Sequence, residues 1–261
     1  MKKIYYLTIL SILLLSCSSD NDDNLNNQTN FDLPVTIGNY WVYDVESTEN
    51  PTTKDSLFIS RDTLIGVNTY KKFETENNLA TGFYSSSLKN NGVRESQSKL
   101  LLSGDLSLGN GQLPIDLDLS LIDFVIFNAN ASNNGILSTK NGIINETING
   151  YPITINYTLK SIAGENMSQF TSPNTDIYDD VKVTKVILNA TISTSISGIN
   201  VPIITNQDVL TSLQYIANGI GVVHTNTTIT YTISQLIADQ LGVPATSTQI
   251  QNEFLTNYFV Q

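Results

Sequence analysis

The sequence predicts a mainly β fold: one large curved antiparallel sheet, a meander or half-barrel, with one or two short helices near the C-terminus. Three observations carry this. Apolar and polar residues alternate with a period of two along several stretches, as strands with one wet face require. Asparagine–glycine pairs, which reach positive φ without steric cost, sit between such stretches and mark hairpins rather than crossovers. Helix-type spacing of apolar residues is confined to the end of the chain.

The chain opens with a segment that lies outside the fold. Residues 1–16 begin Met1-Lys2-Lys3 and continue as an apolar run to Leu15, broken by Thr8 and Ser11. This reads as a secretory signal, because a bilayer span needs about 20 apolar residues. Leu14-Leu15-Ser16-Cys17 then resembles the lipobox of bacterial lipoproteins. The resemblance implies that Cys17 is lipidated and becomes the first mature residue, held by acyl chains at about 0.8 kcal/mol per buried CH₂. Residues 17–30 contain Asp20, Asp22 and Asp23 among asparagines and serines, with no aromatic residue. Such a segment gains too little from burial to offset its ordering entropy and reads as a flexible tether. The acidic cluster after the cysteine is similar to the export signal of Bacteroidota lipoproteins. The expected location is therefore the outer membrane, on the cell-surface side if these residues act as a sorting signal and on the periplasmic side if they are only a linker.

Residues 31–261 are expected to form the β-rich domain. Along residues 113–121, Leu113, Ile115, Leu117, Leu119 and Leu121 share one face, with Asp116, Asp118 and Ser120 on the other. Along residues 151–160, Tyr151, Ile153, Ile155, Tyr157 and Leu159 alternate with Pro152, Thr154, Asn156, Thr158 and Lys160. Residues 181–196 read as one long strand whose apolar phase moves from Val181 and Val183 to Val186, Leu188, Ala190 and Ile192, so a bulge is expected near Thr184 or Lys185. Turns are expected at Asn90-Asn91-Gly92, Asn141-Gly142, Asn149-Gly150, Gly198-Ile199-Asn200 and Asn218-Gly219-Ile220-Gly221. Ser234 caps a helix over residues 235–241 closed by Gly242, and Ile250, Phe254, Leu255 and Tyr258 have the spacing of a second helix over residues 247–258.

Composition narrows the function. The 13 Lys and Arg against 24 Asp and Glu argue against a nucleic-acid partner. Only 14% of residues are charged, yet 85 of the 261 are Asn, Ser or Thr, so the surface is polar through amides and hydroxyls. A single His and a single Cys exclude a disulfide framework and most His- or Cys-rich metal sites.

A wider resemblance rests on three segments. Pro34, Gly38, Trp41 and Tyr43 form a P-x-x-x-G-x-x-W-x-Y opening; Gly66 and Tyr70 punctuate a second hairpin; Gly219-Ile220-Gly221 and Val223 follow Tyr215 in a G-I-G-x-V turn. Together they are similar to a group of uncharacterised bacterial lipoproteins, and the resemblance implies a curved antiparallel sheet but no activity. A helix across such a sheet would also resemble the half-barrels of LolA/LolB lipoprotein carriers.

Candidate chemistry is sparse. The parity of residues 222–233 places His224 on the polar side with Asn226 and Thr228, as a solvated strand residue, and no G-x-S-x-G elbow presents a serine to it. Asp116 and Asp118 lie about 7 Å apart on one strand face, a spacing glycosidase carboxylates use, but charges on a wet face are routine. Asn174, Asp176, Asp179 and Asp180 hold hard oxygen ligands without a calcium-loop pattern, and read as a solvated turn. C-x-x-C, H-E-x-x-H, G-x-G-x-x-G and P-loop patterns do not occur, so the sequence implies no cofactor and no metal, and no catalytic residue is assigned. Asp55-Ser56-Leu57 and Asp62-Thr63-Leu64 look like the acceptor tripeptide of Bacteroidota O-glycosylation, which makes Ser56 and Thr63 candidate acceptors. Tyr40, Trp41, Tyr43, Tyr70, Phe73, Phe83 and Tyr84 are the aromatic residues that either fill a core or line a cavity for a lipid-like or glycan ligand. The expected function is that of a non-catalytic binding or scaffold lipoprotein at the outer membrane, meeting a lipid or glycan ligand or an envelope protein. The alternative is a hydrolase acting on glycans or lipids.

Overall fold

The computed structural model describes residues 31–261 apart from 49, 109–116, 149 and 197. The expected signal, Cys17, the tether and Asp116 lie outside the described residues. The elements run β1 (Tyr40–Ser47), β2 (Thr53–Ile65), β3 (Asn68–Thr75), α1 (Phe83–Leu88), β4 (Gly92–Ser96), β5 (Lys99–Leu108), β6 (Leu117–Asn128), β7 (Ile136–Ile148), β8 (Tyr151–Thr171), β9 (Ile177–Ile196), β10 (Ile199–Ala217), β11 (Gly221–Thr232), α2 (Gln235–Leu241) and β12 (Thr246–Phe259). The strands form one antiparallel sheet in the order β6-β5-β4-β3-β2-β1-β12-β11-β10-β9-β8-β7. This is the mainly β, curved antiparallel fold the alternation demands. It curls until its two edge strands meet. At the seam Ser138 Oγ accepts from the Val125 amide and Ser161 Oγ donates to the Val125 carbonyl, with no backbone ladder between β6 and β7 among the described residues.

Hairpin chemistry follows the sequence in three places. Ile148 pairs with Tyr151, Ile196 with Ile199 and Ala217 with Gly221 across short turns. Gly150 takes φ +84°, a conformation that costs an L side chain about 1–2 kcal/mol. Two other expected turns are not hairpins. Asn141-Gly142 lies inside β7, where a Cβ on Gly142 would stand 2.4 Å from Tyr157 Oη; the glycine makes room for the ring of the facing residue rather than bending the chain. Asn90-Asn91-Gly92 is the corner from α1 into β4, with Asn90 at φ +64°.

The strand readings over the described part of residues 113–121 and over 151–160 agree with the structure. Leu117, Leu119 and Leu121 are buried beside exposed Asp118 and Ser120, and Ile153, Ile155 and Leu159 face inward. In β9 buried positions switch phase between Val183 and Thr184 as expected, but the extra residue sits on β8, in the interval from Ala163 to Asn166.

The C-terminus divides the helix expectations. Ser234 Oγ accepts from the Ile237 amide and Gly242 at φ +70° closes α2, as read from the sequence. Residues 247–258, expected as a second helix, are instead β12. The spacing of four apolar residues was a weak signal against two open sheet edges. β12 pairs with β1 on one side and β11 on the other, and so joins the run β1–β6 to the run β7–β11. α1 has no helical signal in Phe83-Tyr84-Ser85-Ser86-Ser87-Leu88, and its cause lies in other strands.

The interior holds Trp41, Tyr43, Leu57, Ile59, Tyr70, Phe73, Leu188 and Leu210. Each fully buried aliphatic side chain contributes about 1.5–3 kcal/mol. The polar ends of the aromatic residues are satisfied: Trp41 Nε1 donates to the Ile220 carbonyl at 2.6 Å and Tyr43 Oη to the Val222 carbonyl at 2.8 Å. Outside, the amide- and hydroxyl-rich composition appears as cross-strand pairs, Asn226 with Asn252 and Thr230 with Thr248.

Candidate functional site

The most unusual polar cluster is inside the barrel, where β2 and β12 hold α1. Strand parity turns Asp55 and Glu253 inward, and both are buried, Glu253 to 0% exposure. The first turn of a helix leaves N–H groups without intrahelical partners. Here side chains from distant strands take them. Gln251 Oε1 accepts from the Phe83 amide at 2.7 Å, and the Glu253 carboxylate accepts from the Tyr84 amide at 2.7 Å and the Ser85 amide at 3.2 Å. Glu253 also accepts from Ser85 Oγ at 2.8 Å and Thr225 Oγ1 at 3.1 Å. Asp55 accepts from the Thr81 amide at 3.0 Å and the Gly82 amide at 2.8 Å. A Cβ on Gly82 would overlap the Glu253 carboxylate, at 2.1 Å from Oε2. Five of the six residues of α1 have low helix propensity; the helix forms because Gln251 and Glu253 oxygens receive its first three amides and Asp55 receives the Thr81 and Gly82 amides just before it.

Burial pushes the Glu253 carboxyl up to about 7, against the downward pull of the Tyr84 and Ser85 bonds and with a further push from Asp55. A carboxyl near neutrality in a cleft would be a catalytic candidate. This one has both oxygens engaged by its own chain. The neighbouring voids, lined by Phe83, Tyr84, Leu102, Phe124 and Gln214 on one side and by Trp41, Phe73, Leu100 and Phe127 on the other, measure about 30 and 50 Å³. Small-molecule sites occupy about 300–1,000 Å³. Trp41, Tyr43, Tyr70 and Phe73 are core, and Phe83 and Tyr84 pack against it as part of the plug.

Tyr40 alone of the seven aromatic residues faces outward, 37% exposed. It pairs with Phe58 on β2 and with Phe259 on β12, and with Gly38, Val42, Ser56 and Glu76 it lines an open outer groove of about 450 Å³. Ser56 sits half-buried in this groove between buried Asp55 and Leu57. Thr63 lies near the β2–β3 turn beside Asp62, which pairs with Lys71 at 2.6 Å.

His224 requires correction. Its parity is as read, opposite to inward-facing Val223 and Thr225, but it is buried rather than solvated. The far end of the β8–β9 hairpin folds back over the outer face, so that Phe170 stacks on Tyr215 at 4.2 Å and lies 6.0 Å from His224, while Phe254 stacks on His224 at 4.8 Å. Nδ1 donates to the Glu253 carbonyl at 3.0 Å, and burial lowers the imidazole's affinity for a second proton. A period-two pattern reports which face a residue occupies, not what another hairpin lays over it.

The acidic candidates separate. Asp118 accepts from Ser107 Oγ at 2.6 Å on the wet face. Asp176 bonds Asn174, Asp179 bonds Gln169 and Asp180 bonds Asn218. Among the described residues no three His, Cys, Asp or Glu side chains gather as a metal site. Asp123, at φ +50° in β6, takes both Arg94 Nε (2.8 Å) and Nη2 (2.9 Å) and the Tyr70 hydroxyl (2.6 Å). The guanidinium holds its carboxyl below the usual range, and the cluster ties β3, β4 and β6 together. Set against protein families, curated proteins and solved structures, the chain has no significant match in any of them.

Proposed function

We propose that the protein is a non-catalytic envelope lipoprotein, anchored through Cys17, that binds or scaffolds other envelope molecules with its outer surface. The filled interior is the observation that supports this reading. α1 occupies the space a lipid carrier would keep open, held there by bonds to Glu253, Asp55 and Gln251. An anionic surface rich in amides and hydroxyls suits a tethered protein that must stay soluble beside a membrane. Titration with the fluorescent fatty acid cis-parinaric acid tests the reading. No saturable signal is expected, whereas one-to-one binding abolished by enlarging Ser87 to Trp in the plug would place a ligand inside the barrel and overturn it.

A further inference from the structure

β6 meets β7 at Ser138, but among the described residues no strand ladders with the outer edge of β7 from Thr139 to Thr147. Its ladder to β8 runs without interruption from Thr139 paired with Lys160 to Ile148 paired with Tyr151. Because Ile148 and Tyr151 close a two-residue turn as a hydrogen-bonded pair, the even-numbered residues of β7 direct their N–H and C=O to β8. The odd ones, from Thr139 to Thr147, direct theirs to the open side. Natural edges are blunted by proline, bulges, rows of lysine or short length. Residues 139–147 contain no proline, one lysine and no register shift, and Ile143 is 65% exposed.

The sequence of this edge is complementary to itself. If β7 meets a second copy antiparallel about a dyad at Ile143, Ile143 exchanges both backbone bonds with its symmetry mate, and Asn141 stands opposite the partner's Asn145. Lys140 stands opposite the partner's Glu146, twice. Lys140 and Glu146 are even-numbered, so these are the non-hydrogen-bonded pairs in which cross-strand side chains come closest. Both are exposed and neither joins an ion pair among the described residues. A register one step either way puts Lys140 opposite Asn145 or Thr147 and loses both charge pairs. We propose that β7 is a self-association edge, through which two copies of this chain join their sheets with Lys140 and Glu146 setting the register.

Disulfide trapping in the full-length chain tests this. Hydrogen-bonded antiparallel pairs hold Cα atoms about 5.5 Å apart, within disulfide reach. Ile143→Cys, oxidised in intact membranes, should give a reducible species of twice the chain mass. The unsubstituted chain and Val67→Cys, at a hairpin tip 95% exposed, should not. Adding Lys140→Glu should lower the trapped fraction about tenfold, and adding Glu146→Lys to that variant should restore it. Equal trapping at Val67 and Ile143, indifference to charge reversal, or trapping of Ile143→Cys to a different protein would each overturn the proposal. Unchanged circular dichroism of the charge variants separates lost association from lost folding.

Discussion

Replacing Glu253 with Ala should destabilise the protein by an amount that depends on pH in an unusual direction. The substitution strips the Tyr84 and Ser85 amides of their acceptor inside the barrel, at about 1–3 kcal/mol for each buried N–H left unpaired, or about 2–6 kcal/mol together. The native protein also bears a cost for burying this carboxylate. Its folded value of about 7 lies above the ordinary 4.5, so between those values the folded state holds a proton that the unfolded state has released. Stability from this group is therefore full below pH 4.5 and is lost as pH rises through 7, by about 3 kcal/mol. The Ala variant lacks this dependence. The deficit relative to the native chain should be about 3 kcal/mol larger at pH 4.5 than at pH 8, measured by urea unfolding. His224 runs the other way, since its lowered folded value makes stability fall as pH drops below 6.5. Running both comparisons in a His224→Phe background isolates Glu253. Equal deficits at the two pH values, or no deficit, would refute the clamp.

Further outcomes are expected. Gly142→Val should cost about 1–3 kcal/mol in urea midpoint, because its Cβ meets the Tyr157 ring, while Gly150→Val should cost about 1–2 kcal/mol from φ alone, with open space around it. A substitution at half-buried Thr158 should cost less than either. Arg94→Met should destabilise by about 1–2 kcal/mol at pH 7, and by progressively less as acid protonates Asp123, whose depressed folded value makes its contribution present above the ordinary carboxylate range and lost as pH falls. Cys17→Ala should abolish palmitate labelling and detergent-phase partitioning, and Ala at Asp20, Asp22 and Asp23 should remove surface protease sensitivity in intact cells if those residues sort the protein outward.

Strand-forming stretches were legible because alternation and Asn-Gly chemistry are local, as residues 151–160 and the Gly150 turn show. What failed was non-local. α1 is invisible in its own serine-rich sequence, since its caps come from residues 27 to 169 positions away on other strands. A signal existed in retrospect, a lone Glu253 amid inward-facing positions of a C-terminal run that lacks other charges. The helix-type spacing of Ile250, Phe254, Leu255 and Tyr258 masks it. Gly142 misled because glycine serves strands by absence of a side chain as readily as it serves turns by conformation.

On the proposed function, the barrel is filled by its own chain and works from its outer surface. Native mass spectrometry of the full-length protein extracted from membranes in mild detergent tests it most directly. The expected mass is the polypeptide from Cys17 with its acyl groups, alone or as a dimer, and with no other adduct. A lipid or glycan retained at one copy per chain after gentle collisional activation, and lost from a variant that fills the interior further, would contradict it.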